Sequence, residues 1–167
     1  EKARNLRDHA FSKERHFWHN MRGFNYRMTN LQGAIGLAQT EKFEELVETR
    51  IRNAEMYDRH LRDIPGLTLP PRTPGIKNVF WMYAILVEDD FGLRRDELHE
   101  RLATQGIETR TFFIPIHLQP IYRKSFRREY PVSEELCRKG LYLPSAATLT
   151  ETDIQKITSA IRNARKG

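Results

Sequence analysis

The sequence predicts an α/β (α+β) small domain carried on a long helix, and three observations support that expectation. Apolar residues recur at three-and-four spacing from Leu31 to Leu61 behind one well-marked helix start. Two runs rich in aromatic and branched residues, Val79 to Val87 and Thr109 to Ile114, read as strands. Amphipathic segments lie between and after them, so a small sheet is expected to be covered by helices.

Taken in order, residues 1–28 are polar and aromatic without sustained periodicity. Thr29 and Gln32 then stand in the relation of a capping box, with Asn30 as the rival cap. Leu31, Ile35, Ala38, Phe43, Leu46, Val47, Ile51, Ala54, Tyr57 and Leu61 follow, and Pro65-Gly66 stops the pattern. Thirty-odd residues at about 1.5 Å each make a helix on the order of 50 Å long, unless a break near Gly33 or Gly36 shortens it. A helix that long bridges two domains or borders a subunit interface.

The Pro/Gly-rich loop Leu69 to Gly75 leads to Val79–Val87, read as a strand buried on both faces. Leu93 to Gln105 reads as an amphipathic helix on Leu93, Leu98 and Leu102, closed by Gly106 with Ile107 behind it. Thr109 to Ile114 is the second strand, bounded by Pro115. Ser133 to Gly140 is a short helix, and Leu141 to Pro144 an extended piece. Thr150-x-x-Asp153 caps a last helix running through Ile154, Ile157, Ile161 and Ala164.

A chain of 167 residues suits one domain, and 39% apolar with 30% charged residues suits a soluble one. No window approaches the roughly 20 apolar residues of a membrane span. Five of the first eight residues are charged, and the segment has no apolar signal-peptide region. Cys137 is the sole cysteine and has no internal disulfide partner, so a cytoplasmic location is expected. Lys and Arg number 28 against 22 acids, a net +6 that favours anionic partners: nucleic acid, an anionic membrane surface or a phosphorylated small molecule. The basic residues are dispersed, with local density at Arg123-Lys124 and Arg127-Arg128, and a dispersed excess also describes an ordinary solvated surface.

The informative segment is Gly23-Phe24-Asn25-Tyr26-Arg27-Met28-Thr29-Asn30-Leu31-Gln32. Amide N–H groups at a helix start, with Asn25 and Arg27 beside them, suit a phosphate. The same residue types serve many loops as turn and surface groups.

This segment, with Ala34-Ile35-Gly36 after it, resembles the signature of the DegT/DnrJ/EryC1/StrS nucleotide-sugar aminotransferases, and within them the GDP-perosamine synthases. Leu6-Arg7-Asp8-His9 with Phe17-Trp18-His19, then Phe112 to Pro120, then Leu143-Pro144-Ser145 with Leu149-Thr150-Glu151, match further family stretches in the same order. The resemblance implies part of a fold type I aminotransferase using pyridoxal 5'-phosphate. Residues 1–28 would end the large domain and form the crossover loop, and residues 29–167 would be the C-terminal small domain. The family moves an amino group from a donor, usually glutamate, to a keto carbon of a nucleotide-linked sugar. For the perosamine branch the acceptor would be GDP-4-keto-6-deoxy-mannose, on the way to surface polysaccharide.

By the same resemblance, Asn25 matches the asparagine that reaches across a homodimer interface to the cofactor phosphate. Arg27 would face that phosphate or the substrate diphosphate, and Lys42 and His117 are substrate-contact candidates. The family's cofactor-bearing lysine stands in a serine-rich segment well upstream of the Gly-Phe-Asn-Tyr-Arg loop. Lys2 and Lys13, which precede that loop here, lack that context, so no catalytic residue is assigned and the chain is expected to be inactive alone. A non-catalytic binding or interaction module derived from the family is the alternative.

Other chemistries are weaker. His9, His16 and His19 cluster without the cysteine or acid that would complete a metal site, so none is expected. Cys137 on an amphipathic helix reads as a small apolar residue. Phe112 and Phe113 beside basic residues imitate a base-stacking platform, but adjacent residues of a strand face opposite ways, so nucleic acid is not expected as a partner.

Overall fold

Tyr83, Ile85 and Val87 alternate with Ala84 and Leu86, and this period of two makes the central strand. In a computed structural model that describes residues 1–15, 17–122 and 128–166, these five residues form a strand whose odd members are buried and whose even members are half-buried. His16, Arg123, Lys124 and Arg127 lie outside the described residues. Two compact units are present, Glu1–Glu44 and Glu45–Gly167.

The second unit is a four-stranded antiparallel sheet with helices. Its strands are β1 (Leu67–Thr68), β2 (Tyr83–Val87), β3 (Arg110–Thr111) and β4 (Gly140–Leu143), in the order β1-β2-β4-β3. Tyr83 pairs with Leu143 and Leu86 with Gly140, so the central pair joins segments about sixty residues apart. The helices of this unit are α3 (Phe43–Leu61, from its third residue on), α4 (Arg95–Thr104), α5 (Pro131–Lys139) and α6 (Glu151–Lys166). Tyr57, Leu61, Leu98, Leu102, Ile154 and Ile161 from α3, α4 and α6 meet Tyr83, Ile85, Leu141 and Leu143 in one core. The other sheet face keeps Ala84, Leu86 and Tyr142 half-exposed.

One turn after β4 is fixed by three side chains of α3. Tyr57 Oη donates to the Pro144 carbonyl at 2.9 Å, Arg50 Nη1 to Ser145 at 2.8 Å, and Asn53 Nδ2 to Ala146 at 3.3 Å. Positions 50, 53 and 57 share one helix face, so three consecutive carbonyls meet three donors in a row. Ser145 Oγ in turn accepts from the Tyr83 amide at 2.7 Å. Tyr83 also stacks on Tyr57, with ring centroids 4.7 Å apart, and gives its hydroxyl to Asp58 at 2.6 Å. Arg72 grips the same carboxylate through Nε at 2.9 Å and lies over the Phe80 ring at 4.2 Å.

The first unit holds α1 (Lys2–Arg7) and α2 (Asn30–Glu41) with the loop between them. The loop folds back on α1: the amides of Phe24 and Tyr26 donate to Leu6 and Arg7 at 2.7 and 2.9 Å, and that of His9 to Phe24 at 2.9 Å. Space for this return exists because residue 23 is glycine; a Cβ there would strike the backbone of His9 and Ala10. His9, Ala10 and Phe17 have φ of 58°, 54° and 61°, so the loop stores backbone strain.

Several expectations need correction. The single long helix is interrupted at Lys42, whose φ of −102° and ψ of 6° leave the helical range. Gly33, Gly36 and Thr40 are weak helix formers, and the Thr40 hydroxyl donates back to the Gly36 carbonyl at 2.8 Å. The strand read from Val79 begins only at Tyr83, since Phe80 sits at φ 46° in an Asn78-capped turn and Trp81 is exposed. Nor is it buried on both faces. The Thr109–Ile114 strand shortens to Arg110–Thr111, and the short helix starts at Pro131, a favoured first-turn residue. Helix α1 and strand β1 escaped the sequence reading; six and two residues are too few to show a period. Among the described residues no helix is long and apolar enough to cross a membrane.

Two predictions follow from this packing. Burial, and for Tyr83 also the Asp58 carboxylate, push the Tyr57 and Tyr83 hydroxyls well above the ordinary tyrosine range. Their neutral forms therefore stabilise the fold fully below about pH 10, and that contribution falls away as pH rises above it. Urea unfolding of Tyr83→Phe should show a loss of about 1–2 kcal/mol at pH 7 and a flatter decline above pH 10 than the parent chain. Gly23→Ala should release the first-unit loop: the His9 and Phe24 amides lose hydrogen-exchange protection, with the Ile85 amide as internal reference.

Candidate functional site

Thr29 caps α2 as its spacing to Gln32 predicts. The Gln32 amide donates to Thr29 Oγ1 at 3.2 Å and the Thr29 amide to Gln32 Oε1 at 2.9 Å. The segment that carries Asn25 and Arg27 leads directly into this capped first turn, whose leading amides have no acceptor within the helix. Asn25 is exposed and tied by a backbone bridge to Asp8. On either side of it, Phe24 and Tyr26 stack at 5.2 Å with planes 4° apart, both rings solvent-exposed. Arg27 Nη1 lies 3.3 Å from Asp8 Oδ2, and the two side chains are 63% and 41% exposed. A pair so exposed adds at most about 1 kcal/mol, so the guanidinium is held near Asn25 without being locked. This loop presents a carboxamide, a guanidinium and helix-start amides to solvent, a donor set matched to a phosphate monoester.

The structure does not gather all four candidates. Lys42 is exposed at the far end of α2, and twelve helical residues, about 18 Å, separate it from Thr29. His117 belongs to the second unit, in a 3-10 turn at Ile116–Leu118. Its Nε2 lies 2.9 Å from Glu134 Oε1, its ring lies 4.7 Å from that of Tyr130, and its side chain is 11% exposed. The carboxylate requires the Nε2 proton, so this imidazole is oriented through α5.

Lysines are informative by their partners. Lys139 Nζ binds Glu135 at 2.7 Å and Glu88 at 2.8 Å, and these carboxylates drive its pKa up while Glu88 is held low. Lys13 is raised likewise by Glu1. An imine-forming amine needs the opposite environment, one that releases its proton. Among the described residues no group of three or more His, Cys, Asp and Glu could hold a metal; His19 Nδ1 instead meets the His9 carbonyl at 2.7 Å. Cys137 is half-buried, its sulfur 4.0 Å from the Phe112 carbonyl.

Sequence reasoning missed the groove at the open end of the sheet, a cavity of about 360 Å³ whose lining includes Arg50, Trp81, Arg110 and Tyr142. Phe112 stacks on Tyr142 at 4.4 Å and Phe113 reaches the same ring at 6.2 Å. The two phenylalanines are therefore not split between sheet faces, because β3 ends at Thr111 before them. Leu143-Pro144-Ser145 was visible as the end of an extended piece and as a matched stretch; the 50, 53, 57 spacing was the signal that could have paired it with α3.

Comparison with known proteins places this geometry. The model of the DegT/DnrJ/EryC1/StrS aminotransferase family matches residues 1–162. The chain is 35% identical over 161 residues to a GDP-perosamine synthase of Caulobacter vibrioides, which covers 96% of this chain and 43% of that protein. Among solved structures, Helicobacter pylori PseC, an aminotransferase of pseudoaminic acid biosynthesis, superposes with a TM-score of 0.88 at 26% identity over 99% of this chain and 45% of its own. S. venezuelae DesV, solved in complex with a ketimine intermediate, gives 0.86 at 27% identity over 99% and 44%. The chain thus spans less than half the length of the relatives it matches. Pyridoxal phosphate is the cofactor of these aminotransferases. The chain belongs to the DegT/DnrJ/EryC1/StrS aminotransferase family.

Proposed function

We propose that these residues form the C-terminal part of an aminotransferase that moves an amino group from glutamate to the 4-keto carbon of a GDP-linked 6-deoxy sugar. The product would be a perosamine-type sugar for surface polysaccharide, made in the cytoplasm by a homodimer. The observation that supports this most is the Gly23–Gln32 segment: an exposed Asn25 and Arg27 at a capped helix start, inside a stretch 35% identical to a GDP-perosamine synthase. On this reading residues 1–28 close the large domain and residues 29–167 are the small domain.

Pyridoxal phosphate, when bound, supplies the electron sink for the transfer. Asn25 and the first-turn amides of α2 would hold its phosphate, and Arg27 would neutralise that phosphate or the sugar's diphosphate. His117, oriented by Glu134, would contact the substrate, and Lys42 would screen its diphosphate. The lysine that carries the cofactor is assigned to a part of the enzyme beyond these residues, since neither Lys2 nor Lys13, the two lysines ahead of the Gly23–Arg27 loop, stands in the serine-rich context of the family's lysine.

Two measurements test this. Borohydride reduction of the chain with pyridoxal phosphate, followed by intact mass and peptide mapping, should give no stoichiometric lysine that glutamate protects; one such site would overturn the lysine assignment. In the complete enzyme, assayed with glutamate and GDP-4-keto-6-deoxy-mannose, Asn25→Ala should weaken cofactor retention about tenfold or more. Unchanged retention would remove Asn25 from the phosphate site, and no turnover of the sugar by the parent enzyme would reject the substrate.

A further inference from the structure

The sheet of the second unit has one face on the core and one half-open, and the open face ends in an unusual set of side chains. Arg110 on β3 sits opposite Tyr142 on β4 in register, so the two side chains leave the same sheet face as neighbours, and both line the groove. Tyr142 is stiffened by the Phe112 ring stacked on it at 4.4 Å. Gly140 makes that stack possible, since Phe112 lies where a Cβ of residue 140 would be. Across the groove are Trp81, 68% exposed, and Arg50.

Arg50 is anchored through one nitrogen only. Its Nη1 donates to the carbonyls of Trp81 at 3.0 Å and Ser145 at 2.8 Å. Among the described residues no other hydrogen bond or ion pair engages Arg50, and none engages the Arg110 guanidinium. Arg110 is exposed, and the half-buried Arg50 has no buried nitrogen without a partner, so the unused donors of both arginines reach solvent. Glu108 also lines the cavity, which leaves two positive charges against one negative. Two arginines with spare donors, one fixed in place by the backbone, beside two aromatic walls, make an oxyanion site with a stacking surface.

We propose that this groove of about 360 Å³ binds a small oxyanion, carboxylate or phosphate, through Arg110 and Arg50, with the body of the ligand against Trp81 and Tyr142. The two chemistries have distinct sources, an amino-acid donor or a phosphorylated substrate. The aminotransferase reading enters only in the choice of probes, because occupancy is measured without cofactor or turnover.

Trp81 reports on the groove directly. The chain has two tryptophans, so Trp18→Phe leaves Trp81 as the only indole. This variant would be titrated with sodium pyrophosphate and with sodium glutamate, each against sodium chloride of equal ionic strength. A saturable fluorescence change beyond that of chloride, weakened about tenfold or more by Arg110→Gln, is expected. Response to pyrophosphate alone identifies phosphate as the ligand chemistry, and response to glutamate alone identifies carboxylate. No saturable change with either probe, or the same change after Arg110→Gln, overturns the proposal. Far-UV circular dichroism of Arg110→Gln establishes that the variant is folded, and Arg110→Lys, which keeps the charge but not the planar fork, should bind with intermediate strength. Loss of this site would leave the aminotransferase reading standing.

Discussion

Three donors on one face of α3 meet three carbonyls in a row, and the second unit is organised around that contact. Arg50, Asn53 and Tyr57 bind Ser145, Ala146 and Pro144 and so hold the exit of β4 against the helix. Asn53 and Tyr57 are buried, so either donor left unmet here would carry a desolvation cost of about 1–3 kcal/mol. With the exit fixed, Ser145 can take the Tyr83 amide, which sets the register of β2 on β4. Register decides which residues face the core, because a one-residue slip would exchange Tyr83, Ile85 and Val87 for Ala84 and Leu86. The buried sheet face and the half-open one both follow from this clamp.

Features with a local cause were legible in the sequence. The Thr29 and Thr150 caps form as spaced, with Asp153 Oδ2 accepting from the Thr150 amide at 2.9 Å, because a capping pair needs only its own four residues. Helix α4 buries Leu98 and Leu102 and α6 buries Ile154, Ile157 and Ile161, as their periodicity selects, while Leu93 falls before α4 and is half-buried. Nonlocal causes defeated the reading. Phe80 looks like a strand residue, yet Asn78, Arg72 and the core hold it at positive φ, and aromatic propensity could not reveal that. The halt at Lys42 depends on weak formers accumulating before it, each tolerable alone.

The candidate site divides in the same way. Asn25 and Arg27 could be singled out because a contiguous segment of ten residues carries them, and the loop presents both to solvent. His117 was singled out by its place in a stretch that resembles the family; its partner Glu134 is seventeen residues further along the chain, and no spacing announces such a pair. Arg50, Trp81, Arg110 and Tyr142 come from four separate elements, so their shared groove exists only after folding.

The strand lengths carry a further consequence. Each edge of the sheet, β1 and β3, is two residues long, while the paired interior strands have five and four. An edge that short offers almost no unpaired backbone for a foreign strand to dock on, and Arg110 places a charge on one of them. Strand-templated polymerisation is thereby blocked by geometry. Sticky surface lies elsewhere, on helix α2, where Leu31, Ile35 and Leu37 are exposed. If this protein clumps, it should do so through helices, as amorphous aggregate that a mild detergent reverses, and not as cross-β fibre.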